Sequence, residues 1–204
     1  MIPHALRTVT LWLVLLAPAM AGEQADVTLL FSPRGGCETT ICNLIDNAEM
    51  DILVAAYAFS SEPIANALYR AANRGVPVKI FLDRRQPNAH YSMVQELVDH
   101  GLDVRVDKKE TMMHMKIIII DNYLLICGSF NYTRSAEDRN AEILTIIRSK
   151  QIATTAAKNW WLHWNHSVKP QPKITPGPQN NLRPSKPVYR LPRSKLRRPQ
   201  KWSY

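Results

Sequence analysis

Residues 114–131, HMKIIIIDNYLLICGSFN, limit what this chain can become more than any other stretch. Two short apolar runs, 117–120 and 123–127, are rich in β-branched or aromatic residues and flank the dipeptide Asp121-Asn122. That pattern predicts two adjacent buried strands joined by a turn. Strand side chains alternate, so His114 and Lys116 share a face where the first strand begins. Ser129 and Asn131 likewise share a face just past the end of the second. A tight hairpin brings both pairs to one end of a sheet, where four polar groups can converge on an anion. Chance is a poor explanation. Six specified positions (these four with Asp121 and Gly128), each filled about one time in twenty, coincide with odds on the order of 10⁻⁸ per window.

The rest of the chain alternates strand and helix patterns. Strands are expected at 26–31, 51–59, 76–82, 103–106 and 142–148, and helices at 37–48, 62–73, 90–100 and 150–164. The 51–59 run, DILVAAYAF, is apolar almost throughout, as in a strand covered on both faces. The expectation is an α/β domain whose mixed, mainly parallel sheet lies between helical layers. Residues 107–113 read as a polar, mobile loop delivering the chain to His114, and Trp160, Trp161 and Trp164 as residues covering the sheet.

The net charge of +9 is unevenly distributed. Residues 167–204 hold ten Lys or Arg, eight prolines and no acid; without them and Arg7, 15 bases face 17 acids in residues 22–166. The expected organisation is a signal peptide over 1–21, a folded domain over 22–166, and a disordered, Pro-rich basic tail over 167–204. The signal-peptide reading rests on Arg7, the apolar LWLVLLAPAM and a small-x-small cleavage site at Ala19-Met20-Ala21. It implies export to the periplasm or medium after cleavage near Ala21, with an uncleaved N-terminal membrane anchor as the alternative. Cys37, Cys42 and Cys127 are too few for a disulfide scaffold. Cys37 and Cys42 can pair only if Cys37 precedes the helix, because five residues along one helix separate them too far. No Cys/His spacing makes a zinc site, and His163-x-x-His166 has no cysteine nearby.

The spacing His-x-Lys-x4-Asp-x6-Gly-Ser-x-Asn resembles the signature of the phospholipase D superfamily, and FSPRGG, AYAF, GSFNYT and Asn140-Ala141-Glu142 are similar to its small single-motif bacterial endonucleases. Family members build one active site from two such motifs, and this chain has one. The resemblance therefore implies a homodimer with two copies of His114 meeting across a two-fold axis. It implies His114 as nucleophile, Lys116, Ser129 and Asn131 as phosphate ligands, and Glu142 as the acid bonded to the other ring nitrogen of His114. A plain strand-edge glutamate is the competing reading of Glu142. Asp121 and Gly128 are expected to be structural, and Tyr57 and Phe59 to line the pocket or pack in the core. No metal or cofactor is required by this chemistry, because cationic side chains carry the phosphate charge.

The implied activity is phosphodiester hydrolysis through a phosphohistidine intermediate. A nonspecific endonuclease acting on DNA, and on RNA as a further substrate, leads the readings. The basic tail suits a polyanion, or an anionic membrane, or has no specific partner. The alternatives are a phospholipase D acting on membrane lipids and a non-catalytic nucleic-acid-binding protein.

Overall fold

The computed structural model describes residues 24–171. The expected signal peptide, and the expected tail beyond residue 171, lie outside the described residues. In chain order the elements are β1 (Asp26–Ser32), α1 (Cys37–Asp46), β2 (Ile52–Ala56), α2 (Glu62–Asn73), β3 (Val78–Asp83), α3 (Val94–Asp99), β4 (Asp103–Asp107), β5 (Lys116–Ile120), β6 (Leu124–Gly128), α4 (Arg134–Asp138), β7 (Glu142–Arg148) and α5 (Lys150–His166).

One seven-stranded sheet runs β1-β7-β6-β5-β2-β3-β4. The α/β architecture and the mixed sheet are as expected, but the parallel share is smaller than "mainly". Only β2–β3 and β3–β4 pair parallel, while β5–β2, β6–β5, β7–β6 and β1–β7 are antiparallel. The reason lies in connection length. A parallel crossover takes a dozen or more residues, usually with a helix. Only 108–115 separate β4 from β5, and they carry no helix.

Helices cover both faces. On one side α1, α2 and α3 bury Ile41, Ile45, Leu68 and Leu97 against Ile52, Val54, Ile80, Ile118 and Ile126. On the other, α5 lays Ala153, Trp160 and Trp164 over Leu53, Ala55, Phe81, Ile119 and Leu125. Burial on both faces is why β2 reads apolar throughout: all five residues are buried. Trp161 departs from expectation at 39% exposed. It falls beside the stripe that Trp160 and Trp164 bury at their i, i+4 spacing.

Two sequence expectations shift, and one open alternative closes. The third helix is shorter than 90–100, because Phe59 O receives the Met93 N–H at 3.4 Å and His90 and Tyr91 stay exposed outside it. The folded body runs past residue 166: Val168 exchanges two backbone hydrogen bonds with Val106 (2.7 and 3.0 Å), and Ser167 is buried. Cys37 and Cys42 both lie on α1 and are free thiols. Burial pushes the Cys42 thiol up to about 11.

The motif hairpin turns through Asp121 and Asn122, both at positive φ (56° and 47°), where Asp and Asn cost less than other side chains. The Asp121 carboxylate then accepts the backbone N–H groups of Glu49, Met50 and Asp51, at 2.7 Å from Met50 and 3.1–3.2 Å from the others. The hairpin tip is thereby tied to the connection between α1 and β2. Hydrogen bonds to an ionised acceptor contribute about 1.5–3 kcal/mol. Asp121→Ala is expected to lower stability by about 2 kcal/mol in urea denaturation; a loss under about 0.5 kcal/mol would show the anchor to be dispensable.

Candidate active site

The motif residues gather along one edge of the sheet. In the antiparallel β2–β5 ladder, Lys116 pairs with Ala56, so the first motif residues sit beside Tyr57 at the end of β2. Met113, Met115 and Ile117 pack into the α5-side cluster. Alternation turns His114 and Lys116 to the opposite side. Two buried carboxylates hold the approach to His114. Asp83 accepts the Met113 N–H at 2.9 Å, and Asp107 accepts those of Lys109 and Glu110 at 3.0 and 3.4 Å. The loop expected to be mobile is thus pinned at both ends.

Lys116 is only 6% exposed, and its Nζ donates to the His114 carbonyl oxygen at 2.8 Å. The ammonium also lies 4.9 Å from the centre of the Tyr57 ring, an attraction worth about 0.5–2 kcal/mol. Burial holds its pKa below the ordinary lysine value, opposed by the negative charge of Glu142. The His114 imidazole leans on Tyr57, ring centres 4.5 Å apart at 59°, and is exposed. Among the described residues its ring nitrogens have no hydrogen-bond partner. Tyr57 is therefore a wall shared by His114 and Lys116. Phe59, expected as a second wall or as core, is 1% exposed and packs edge-on to Tyr132. It belongs to the core.

The second half of the motif is built by close approach of β6 and β7. Gly128 sits at φ 147°, and a Cβ there would lie 2.1 Å from the Ile143 carbonyl oxygen. Only glycine fits. Ser129 then clasps Ile143: its N–H donates to Ile143 O at 3.0 Å, and its Oγ accepts the Ile143 N–H at 3.1 Å. The hydroxyl proton of Ser129 remains to donate outward. Asn131 is half-buried, and its Oδ1 is enclosed with no protein partner among the described residues.

The bond anticipated between Glu142 and His114 is not formed within the chain. Glu142 begins β7, with β6 between it and β5, and two strand spacings amount to about 10 Å. Its carboxylate accepts from Asn140 Nδ2 at 3.0 Å and acts on Lys116 through charge.

Two features escaped the sequence reading. Asp83 and Asp107 are anchors at the ends of β3 and β4, signalled by an acid closing each apolar run. Arg84, Arg85 and Lys108 line a shallow depression of about 690 Å³ beyond those same strand ends. Paired bases directly after two parallel strands were the available signal.

A mixed sheet with a histidine-lysine half-site at its edge and a serine and asparagine beside it defines an anion-processing α/β domain. A family model described as "Cardiolipin synthase, PLD-like domain" matches residues 41–164. A phospholipase D of Rickettsia felis is 41% identical over 137 residues, 67% of this chain and 68% of its own. A mitochondrial cardiolipin hydrolase of Chlamydomonas reinhardtii is 27% identical over 73% of this chain and 78% of its own. Among solved structures, Nuc from Salmonella typhimurium, a phospholipase D family member, aligns with a TM-score of 0.69 at 31% identity. That alignment covers 72% of this chain and 99% of Nuc. The chain belongs to the phospholipase D superfamily and is a phosphodiesterase of that superfamily.

The buried Lys116 has a consequence for stability. Its folded pKa lies below its unfolded one, so the folded state is penalised while the ammonium is charged. That penalty fades as pH rises from the lowered value toward the ordinary lysine range. Lys116→Met is expected to unfold at higher urea than the parent near neutral pH, with the gap narrowing at alkaline pH. A variant less stable at neutral pH would contradict a desolvation penalty on this lysine.

Proposed function

We propose that this protein is a metal-independent endonuclease that hydrolyses DNA, with RNA as a further substrate, in a homodimer whose two His114 side chains share one active centre. The single observation that carries this reading is the lone motif: one exposed His114, without a ring partner among the described residues, stands beside the buried Lys116. A two-fold axis at this edge supplies the second histidine, and it can bring the partner subunit's Glu142 to a ring nitrogen that the chain's own Glu142 does not reach. A separate apolar row is exposed on the face opposite His114. Val27, Leu29 and Phe31 of edge strand β1 are 50–59% exposed. They extend the α5-side apolar face beyond the part that α5 covers.

In this mechanism one neutral His114 imidazole attacks phosphorus and displaces the leaving alkoxide, forming phosphohistidine. The second His114, protonated, donates to the leaving oxygen and then takes a proton from the water that cleaves the phosphohistidine. The two Lys116 ammonium groups, the Ser129 hydroxyls and the Asn131 amides hold the non-bridging oxygens as charge builds. The Lys116 ammonium is held at short range in a nearly closed position. Arg84, Arg85 and Lys108 lie beyond the parallel strand ends and offer a track for flanking phosphates. Nuc, the 31% identical neighbour, is matched over nearly its whole length. Export through the apolar leader, and nucleic-acid contact by the basic tail, complete the proposal.

The second reading is a phospholipase D, favoured by the 41% identical Rickettsia proteins of that name. Both readings use the same centre and differ in what the surrounding surface holds. Incubation with plasmid DNA, RNA and phosphatidylcholine vesicles in excess EDTA separates them. The endonuclease reading expects nicking in EDTA, lost by on the order of 10³-fold or more in His114→Ala. Choline release without nicking would replace it with the lipase reading, and loss of all activity on chelation would sink the metal-free mechanism. Replacing Arg84, Arg85 and Lys108 together by Ala is expected to raise KM for DNA about tenfold and flatten its salt dependence. An active species that sediments as a monomer would refute the shared centre.

A further inference from the structure

Away from His114, three side chains converge where β4 meets the end of α5. Asp107 is fully buried, and one of its oxygens faces both His163 Nδ1 (3.0 Å) and His166 Nε2 (3.2 Å). The three donor atoms all lie within 4.8 Å of one another. The two histidines are spaced i, i+3 and so project from one face of the helix. The sequence alone offered them no ligand partner. Asp107 is 56 residues from His163 and comes to it only through the fold.

The surroundings hold this cluster in place. His163 stacks on Phe81, rings 16° from parallel and 5.9 Å between centres. The Ser167 hydroxyl donates to the His163 carbonyl at 2.7 Å. Two Val106–Val168 backbone hydrogen bonds fasten the chain just after the helix to the strand that carries Asp107. The other Asp107 oxygen accepts the Lys109 N–H, which orients the carboxylate. A tetrahedral ion with bonds of about 2.0–2.1 Å separates its ligand atoms by about 3.3 Å. The two separations from Asp107, 3.0 and 3.2 Å, fall just short of that value, and the two imidazole nitrogens lie within 4.8 Å of each other. Two imidazoles with one carboxylate suit zinc and its first-row neighbours, whereas calcium and magnesium favour all-oxygen shells. His163 and His166 keep 21% and 24% of their side-chain surface, so water can reach a fourth position.

We infer that Asp107, His163 and His166 form a binding site for one Zn²⁺-class divalent ion, separate from the hydrolytic centre. The ion replaces the imidazole protons that otherwise face Asp107 and joins the end of α5 to the segment leading to His114. Its role is structural. Neither His114 nor Lys116 touches the cluster, so hydrolysis does not pass through the ion.

The test uses the full chain without a histidine tag, stripped with chelator, desalted and titrated with Zn²⁺ and separately with Co²⁺. The expected result is one Zn²⁺ bound per chain with a rise in melting temperature, and a Co²⁺ adduct with the strong visible absorption of tetrahedral coordination. His163→Ala and His166→Ala are expected to weaken binding on the order of 100-fold or more and to abolish the melting shift. His166→Gln keeps a hydrogen-bond donor toward Asp107 but is a poor zinc ligand. It should match the parent in metal-free stability and circular dichroism while losing the ion. Binding unchanged in these variants, or no saturable binding at millimolar Zn²⁺, overturns the site. Phosphodiester hydrolysis assayed in EDTA below the melting temperature should persist in all three variants, so this inference and the endonuclease reading fail by different measurements.

Discussion

The antiparallel pairing of β5 with β2 is the constraint on which the rest of the site depends. It sets Lys116 opposite Ala56, and thereby places a lysine in a nearly closed position beside Tyr57 and beneath the carbonyl of His114. A buried ammonium is unfavourable unless its donors are met, and here one backbone oxygen and one aromatic face meet it. The negative charge of Glu142 partly restores the proton affinity that burial removes. The same ladder carries the hairpin whose far turn is fastened through Asp121 to the start of β2. One register therefore fixes both ends of β5, the chemical one and the structural one.

Acids play different parts at four strand boundaries. Asp121, Asp83 and Asp107 each accept backbone N–H groups and hold loops. Asp83 and Asp107 act on the segment before His114, which has no strand or helix of its own to position it. Glu142 is the acid that acts on the site through charge. Asp107 has a further face toward two histidines, which links the loop to α5. Bases are nevertheless gathered locally, with Arg84, Arg85 and Lys108 clustered beyond the ends of β3 and β4.

Two groups near the motif have no hydrogen-bond partner among the described residues. The His114 ring leans on Tyr57 without a hydrogen-bond partner among the described residues, and Asn131 Oδ1 is enclosed and unpaired. On the same domain, β1 shows water a row of three large apolar side chains. Unpaired polar atoms and uncovered apolar surface both lower stability in isolation.

The sequence by itself determined the chemistry and much of the frame. His114, Lys116, Ser129 and Asn131 were legible because strand alternation and a short hairpin leave little freedom in where such residues go. Gly128 was legible only as a motif member; its reason, an approach to the Ile143 carbonyl that excludes a Cβ, appears only in the packed sheet. Local pattern also could not decide strand direction. Apolar runs look alike in parallel and antiparallel ladders, so the antiparallel entry of β5 came from the short 108–115 connection and its place beside β2. The separation of Glu142 from His114 follows from β6 lying between their strands. The meeting of Asp107 with His163 and His166 depends on α5 folding back across the sheet. These are contacts between residues distant in the chain, and tertiary packing alone sets them.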